Sequence, residues 1–167
     1  MKIRNARPAD LDALLGIYAA ARRYMAENGN PTQWADGRPY PDELTHAIGQ
    51  GSCLVGVDEN DAPHFAFMLF AEPDPTYETI YEGSWPNDAP YVTIHRVASD
   101  GTGHGVFAGI VAYAREHAEA LGLHDIRVDT HEDNKTMQHL IAKAGFSYCG
   151  IIHLADGDPR LAYQLSF

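Results

Sequence analysis

Residues 91–134 read Y-V-T-I-H-R-V-A, S-D-G-T-G-H-G, V-F-A-G-I-V-A-Y-A-R-E-H-A-E-A-L-G-L-H, D-I-R-V-D-T-H-E-D-N. The pattern predicts a strand, a glycine-rich loop, an amphipathic helix, a second strand and a polar turn that opens another helix. Phe107, Ile110, Val111, Ala114, Ala118 and Leu121 recur at helical spacing and predict one buried face, and Gly122 ends the helix. A glycine-rich loop that feeds a helix N-terminus is suited to binding an anion. The first amides of the helix lack intrahelical partners, and its dipole favours negative charge there.

Working outward, 3–6 predicts a short first strand, and Pro8 and Asp10 open a helix carrying Leu11, Leu14, Leu15, Tyr18 and Met25 at helical spacing. The stretch 28–40 is rich in turn formers and holds Gln33 and Trp34. Pro41 starts a shorter helix that Gly49 and Gly51 stop. Strands are predicted over 52–57 and 64–72, joined by Asp58-Glu59-Asn60-Asp61 as a hairpin. Phe65 to Phe70 are apolar at every position, as in a strand covered on both faces. The stretch 72–89 is a long loop with Tyr77, Tyr81, Glu82 and Trp85, and loops of such length in compact domains often bind something.

Beyond the opening stretch, Glu132-Asp133 is read as the cap of a helix bearing Met137, Leu140, Ile141 and Ala144. Two strands, 146–154 and 160–166, close the chain around the turn D-G-D-P. The order β-α-α-β-β-β-α-β-α-β-β combines hairpins with one βαβ crossover. It predicts an α/β chain with a mixed sheet of about seven strands flanked by about four helices, in a single domain over 1–167.

The formal net charge of -11 argues against nucleic acid as the main partner, because phosphate backbones need a basic face. It mildly favours a cationic partner such as an amine, although solubility alone accounts for it. Cys53 and Cys149 are far apart in apolar contexts and read as reduced core thiols. The nine histidines have no metal-ligand spacing, so no metal is expected. No signal-like core and no long apolar run is present, which predicts a cytoplasmic protein without a membrane partner.

The element order and the central motif together resemble the GNAT superfamily of acyl-CoA-dependent N-acyltransferases. The resemblance covers nearly the whole chain and is strongest over 91–152, including N-K-T-M-Q-H-L-I-A-K-A-G-F. It is nearest to a little-characterised bacterial branch carrying I-H-R-V-A-S, R-V-D-T-H-E-D-N and C-G-I-I. The resemblance implies acetyl-CoA as co-substrate, lying where the fourth and fifth strands splay, with a primary amine on a small molecule or peptide as acceptor. The family loop, Gln/Arg-x-x-Gly-x-Gly/Ala, falls on Thr102, Gly105 and Phe107. Gly103, His104 and Val106 complete the expected pyrophosphate cradle. An alternative frame, Asp100, Gly103 and Gly105, fits the glycines but sets an acid beside a pyrophosphate.

The same comparison implies that the backbone of Val97 and Ala98 pairs with the pantetheine arm. Asn134 would bond that arm from the other side, and Met137 would flank the acetyl end. Dimers are common in the family, and the terminal strands could supply a homodimer interface.

Acyl transfer to an amine needs a base, charge stabilisation at the thioester carbonyl and a leaving thiolate. A backbone N–H within Val97 to Ser99 could meet the second need. For the base, the family's fifth-strand glutamate position falls on Asp129. Period-two alternation sets Asp129 on one face with Arg127 and His131, and His95 lies on the fourth strand. Asp129, His95 and His131 are therefore the candidate catalytic residues. The competing structural reading makes Asp129 and Arg127 surface charges and His95 an ordinary sheet residue. The tyrosine that many members use as acid falls here on Ile141, so that role is vacant. Gln33, Trp34, Tyr81, Glu82 and Trp85 are the candidate acceptor site, with Glu82 to hold a cationic amine and Trp85 to stack on it.

Two other readings compete. Gly103-His104-Gly105-Val106-Phe107-Ala108 satisfies G-x-G-x-x-A, with Asp129 as a ribose acid, as in a dinucleotide enzyme. Five elements precede that motif, however, where a doubly wound domain begins with it. A non-catalytic acyl-CoA-binding module is the other reading, favoured by the vacant Tyr position.

Overall fold

A computed structural model describes residues 1–167. The elements are β1 (Lys2–Asn5), α1 (Leu11–Glu27), α2 (Pro41–Gln50), β2 (Cys53–Val57), β3 (Pro63–Phe70), β4 (Val92–Ser99), α3 (Val106–Ala120), β5 (Asp125–Thr130), α4 (Lys135–Lys143), β6 (Ser147–His153) and β7 (Pro159–Ser166). The seven strands form one mixed sheet in the order β1-β2-β3-β4-β5-β7-β6. β4 and β5 run parallel, with Val92 opposite Ile126 and Thr93 opposite Arg127. A dinucleotide domain would add further parallel βαβ units. Here β5 is followed instead by the antiparallel partners β7 and β6, so that reading falls.

The chain groups into two compact units: Met1–Leu69 with His95–Phe107, and Phe70–Ile94 with Ala108–Phe167. In the first, β1, β2 and β3 form an antiparallel meander with Ile3 opposite Gly56 and Cys53 opposite Met68. Every residue of β2 is buried, as are Phe65 to Leu69, which fits the continuous apolar run read from the sequence. Leu14, Ile17 and Tyr18 of α1 and Leu44 and Ala47 of α2 are buried in the same unit. Pro41 opens α2 with Asp42 and Glu43 in its first turn, where acids suit the dipole. Asp10 is paired with Arg4 at 2.8 Å and accepts the Arg7 amide at 2.7 Å. The Arg4 guanidinium holds the Asp10 carboxyl below the usual carboxylate range.

In the second unit β7 lies between β5 and β6, with Asp129 opposite Ala162 and Ile152 opposite Arg160. The long loop is anchored. Its residues 75–77 form a single 3-10 turn capped by the Asp74 side chain, and Tyr81 forms a β-bridge to Ile151 with two 2.8 Å bonds. The bridge needs Gly150, because a Cβ there would lie 2.6 Å from the Tyr81 carbonyl oxygen and φ is +147°. Tyr77, Tyr91, Ile152 and Ala162 make a small core beneath this loop.

Beyond shifts of one or two residues at several strand ends, three differences from the sequence reading matter for the site. β5 ends at Thr130, so His131 lies past the strand and leaves the period-two face it was assigned to. Asn134, rather than Glu132 or Asp133, caps α4 by accepting the Met137 amide. Leu121 is 51% exposed, because α3 has already ended. No helix is long and apolar enough to cross a membrane.

Candidate active site

The glycine loop is shaped by its own side chains. Ser99 Oγ accepts the Gly101 amide at 3.1 Å, and Asp100 Oδ1 accepts the Thr102 amide at 2.7 Å. Asp100 Oδ2 bonds His64 Nδ1 at 2.8 Å, and His64 Nε2 reaches Asp58 at 3.3 Å. Gly101, Gly103 and Gly105 all take positive φ, at 91°, 90° and 66°, which glycine alone adopts without steric cost. The amides of Gly103, His104 and Gly105 bond to nothing in the protein. They lead directly into Val106, the first residue of α3. Four consecutive amide donors thus open at a helix start, a donor set matched to an acceptor-only anion.

Asp100 does not spoil this cradle, because its carboxylate is engaged by His64 and by the Thr102 amide. The same bond takes Thr102's own N–H out of the donor set. The Phe107 side chain is buried, which explains how a large residue is tolerated where the family pattern has Gly or Ala. Along β4, His95, Arg96, Val97 and Ser99 are half-buried and Ala98 is buried.

The second unit holds the acidic centre. The Tyr77 hydroxyl donates to Asp129 Oδ2 at 2.6 Å. Tyr77 is fully buried, and burial followed by the Asp129 charge pushes its pKa well above the usual value, so it remains a donor. Its position is fixed from several sides. Asp74 caps the turn that carries it, Trp85 Nε1 donates to its carbonyl at 2.8 Å, and its ring packs on Trp85 and Tyr91.

Arg127, two residues before Asp129, is buried rather than a surface charge. Its Cζ lies 4.0 Å from the ring centroids of both Trp85 and Tyr91. Its Nε donates to Gln164 and its Nη2 to the Asn87 carbonyl, while burial pushes its pKa below the usual arginine value. Trp85, expected to stack on a substrate cation, therefore already stacks on a cation of the protein itself.

The remaining candidates fall as follows. His131 Nδ1 accepts the Asp133 amide at 3.0 Å, and its carbonyl accepts from Asn134 and Gln138, so it also builds the turn into α4. Tyr81 is 49% exposed with its ring on His153, and Glu82 is exposed at φ 55°. Gln33 Oε1 accepts from the buried Asn30 at 2.7 Å. Trp34, at φ 60°, meets the Tyr18 ring edge-on and lies beneath the Arg96 guanidinium.

The whole architecture matches an acetyltransferase of the GNAT family from Streptococcus agalactiae 2603, with 33% sequence identity, a TM-score of 0.83, and coverage of 99% of this chain and 95% of that one. The chain belongs to the GNAT family. The PaiA N-acetyltransferase of Thermoplasma acidophilum, solved with coenzyme A, shares the fold at 11% identity and TM-score 0.72, over 99% of this chain and 98% of its own. A GNAT phosphinothricin acetyltransferase from Sinorhizobium meliloti, solved with AcCoA, does so at 17% and 0.64, over 99% and 88%. No family profile and no curated protein matches the sequence.

As a GNAT protein the chain is an acyltransferase, and besides Thr102 and Phe107 in the glycine loop it departs from the common family pattern at one further position. Ile141, where many GNAT proteins carry a tyrosine, is buried in the core. Neither thiol is activated: burial pushes Cys53 up to about 11 and raises Cys149 as well, against the needs of a nucleophile. No group of three or more His, Cys, Asp or Glu side chains is placed to hold a metal. Tyr77 was missed in the sequence because it lies 52 residues from Asp129 in a stretch without periodicity. The Asp74-Pro75-Thr76 turn signal just before it was the available clue.

Proposed function

We propose that residues 1–167 act as one N-acetyltransferase domain that moves the acetyl group of acetyl-CoA to a primary amine by direct attack in a ternary complex. The observation that carries this reading is the run of unpartnered amides from Gly103 to Val106 at the start of α3, set on left-handed glycines. A pyrophosphate fits that donor set. A Cβ added at Gly101 or Gly105 would meet nothing within 4 Å, whereas one at Gly103 would lie 2.7 Å from the end of the flexible Met1 side chain, which would have to move aside for a ligand there. The two GNAT neighbours solved with CoA and AcCoA support the same ligand.

Acetyl-CoA supplies the activated acyl group. Val97 and Ala98 would align the pantetheine arm through their backbone, with Asn134 and Met137 at the head of α4 on its other side. A β4 amide within Val97 to Ser99 would steady the charge that develops on the carbonyl oxygen. Asp129, oriented by Tyr77, takes a proton from the acceptor ammonium, directly or through a water. The amine nitrogen then bonds the acyl carbon as the C–S bond breaks, and the released thiolate recovers a proton. His95 and His131 are the rival bases.

Thiol release from acetyl-CoA across an amine panel tests the activity. Asp129→Ala is expected to lower kcat by about 10²–10⁴-fold, the usual worth of general-base catalysis. Acetyl-CoA should still raise its Tm. If Asp129→Ala, His95→Ala and His131→Ala all turn over at the wild-type rate, the base assignment is wrong. Thermal stabilisation by NAD, with none from acetyl-CoA or CoA, would defeat the whole reading.

A further inference from the structure

Three non-glycine residues of the first unit, Trp34, Asp61 and Arg96, hold backbone angles that side chains rarely adopt, and two of them touch each other. Trp34 has φ 60° and Arg96, inside strand β4, has φ 54°. The Arg96 Cζ lies 5.9 Å from the centroid of the Trp34 ring. Such conformations persist only where the surroundings over-determine them, and they cluster at functional sites. Here the buried Tyr18 does much of the fixing: its hydroxyl donates to the Arg96 carbonyl at 2.6 Å, and its ring meets Trp34 edge-on at 5.8 Å. Glu43, in the first turn of α2, accepts from Arg96 Nε at 2.8 Å.

That ion pair uses one edge of the guanidinium. Of its five N–H donors only Nε–H is engaged, and neither terminal nitrogen has an acceptor in the protein. The side chain is 28% exposed, so the terminal fork is reachable. In a chain with 23 acidic residues, one rigidly held cation thus keeps its bidentate end without an acid. A terminal arginine fork matches a carboxylate with two parallel hydrogen bonds, and the adjoining indole offers an apolar wall. Arg96 also directly precedes Val97 and Ala98, the residues assigned above to the pantetheine arm.

We infer that Arg96 and Trp34 form the specificity site for the acceptor, and that Arg96 binds a carboxylate on it, so that the substrate is an amino acid rather than a simple amine. This rests on the acyl-transfer reading.

The test compares each of a set of amino acids with its own carboxamide and its decarboxylated amine, by thiol release from acetyl-CoA. The expected result is at least one acid whose kcat/KM exceeds that of its carboxamide by tenfold or more. Arg96→Gln should erase that gap, lowering kcat/KM for the acid tenfold or more while the carboxamide loses far less. Arg96→Lys, which keeps the charge but not the fork, should lose most of it, and this variant serves if the glutamine form does not fold. Glu43→Gln should keep the preference.

Carboxamides accepted as well as acids, or an Arg96→Gln loss equal for both, would overturn the inference. If acetyl-CoA binds but nothing turns over, thermal shifts with the same compounds in the presence of CoA decide. Stabilisation no greater for acids than for carboxamides also overturns it. Failure of acetyl-CoA itself to bind would fall on the acyl-transfer reading instead.

Discussion

At the scale of single residues, the acidic centre shows how a loop supplies what a strand cannot. β5 presents Asp129, but a strand carboxylate has two rotatable bonds and no inherent direction. The direction comes from the Tyr77 hydroxyl at 2.6 Å, on a ring fixed by Trp85 and Tyr91. The charged and titratable groups about this pair are Asp74, Tyr91 and Arg127. Tyr77→Phe keeps the ring and removes the donor, so kcat should fall about tenfold with the KM for acetyl-CoA unchanged, at a stability cost of about 1 kcal/mol.

A merely structural tyrosine would lower Tm and leave kcat in place. In an Asp129→Asn background the same change should add no further loss of rate. The sequence placed Asp129 on a predicted strand, and the resemblance to the GNAT family made it a candidate base. It did not disclose Tyr77 or the burial of Arg127, because both depend on a loop folding back across β5, and local periodicity does not report that.

At the scale of elements, most boundaries were legible because their signals are local: proline at helix starts, glycine at ends, alternation and apolar runs. The entry to the glycine loop was not, since its anchor comes from β3. His64 bridges Asp100 and Asp58, and the Asp100 bond, then the Asp58 bond, raises its pKa above the ordinary value of about 6.5. Burial acts to raise Asp100, but its bonds to His64 and the Thr102 amide outweigh that and hold it below the usual range. Asp58 is lowered first by the Ala62 amide.

The signs then follow. The raised histidine contributes stability in full below about pH 6.5, and this is lost as pH rises through its folded pKa. The lowered carboxyls contribute above about pH 4, and lose that contribution as pH falls through their folded values. His64→Gln should therefore lower Tm more at about pH 6 than at about pH 9. Thermal melts of both proteins at the two pH values check this, and an equal gap at both would remove the charged clamp from the account.

For the whole molecule, the strand order was recoverable because one parallel crossover among hairpins leaves few topologies, and the order β5-β7-β6 excludes a doubly wound domain. Net charge acts at the same scale. At a formal charge of -11, the protein as a whole repels a polyanion such as CoA, and the loop offers Thr102 where the family pattern has Gln or Arg. In the proposed site, attraction comes from backbone amides and the helix start, which are short-ranged and make no ion pair for salt to screen. The repulsion is long-ranged and is screened: the Debye length shrinks from about 30 Å at 0.01 M ionic strength to about 10 Å at 0.1 M. The KM for acetyl-CoA should therefore hold steady or fall as salt is raised over this range, opposite to the behaviour of a basic phosphate site. Steady-state rates at fixed acceptor and increasing NaCl measure it. A KM that climbs severalfold would mean that lysine or arginine side chains grip the phosphates, and that the amides of 103–106 do not account for the binding.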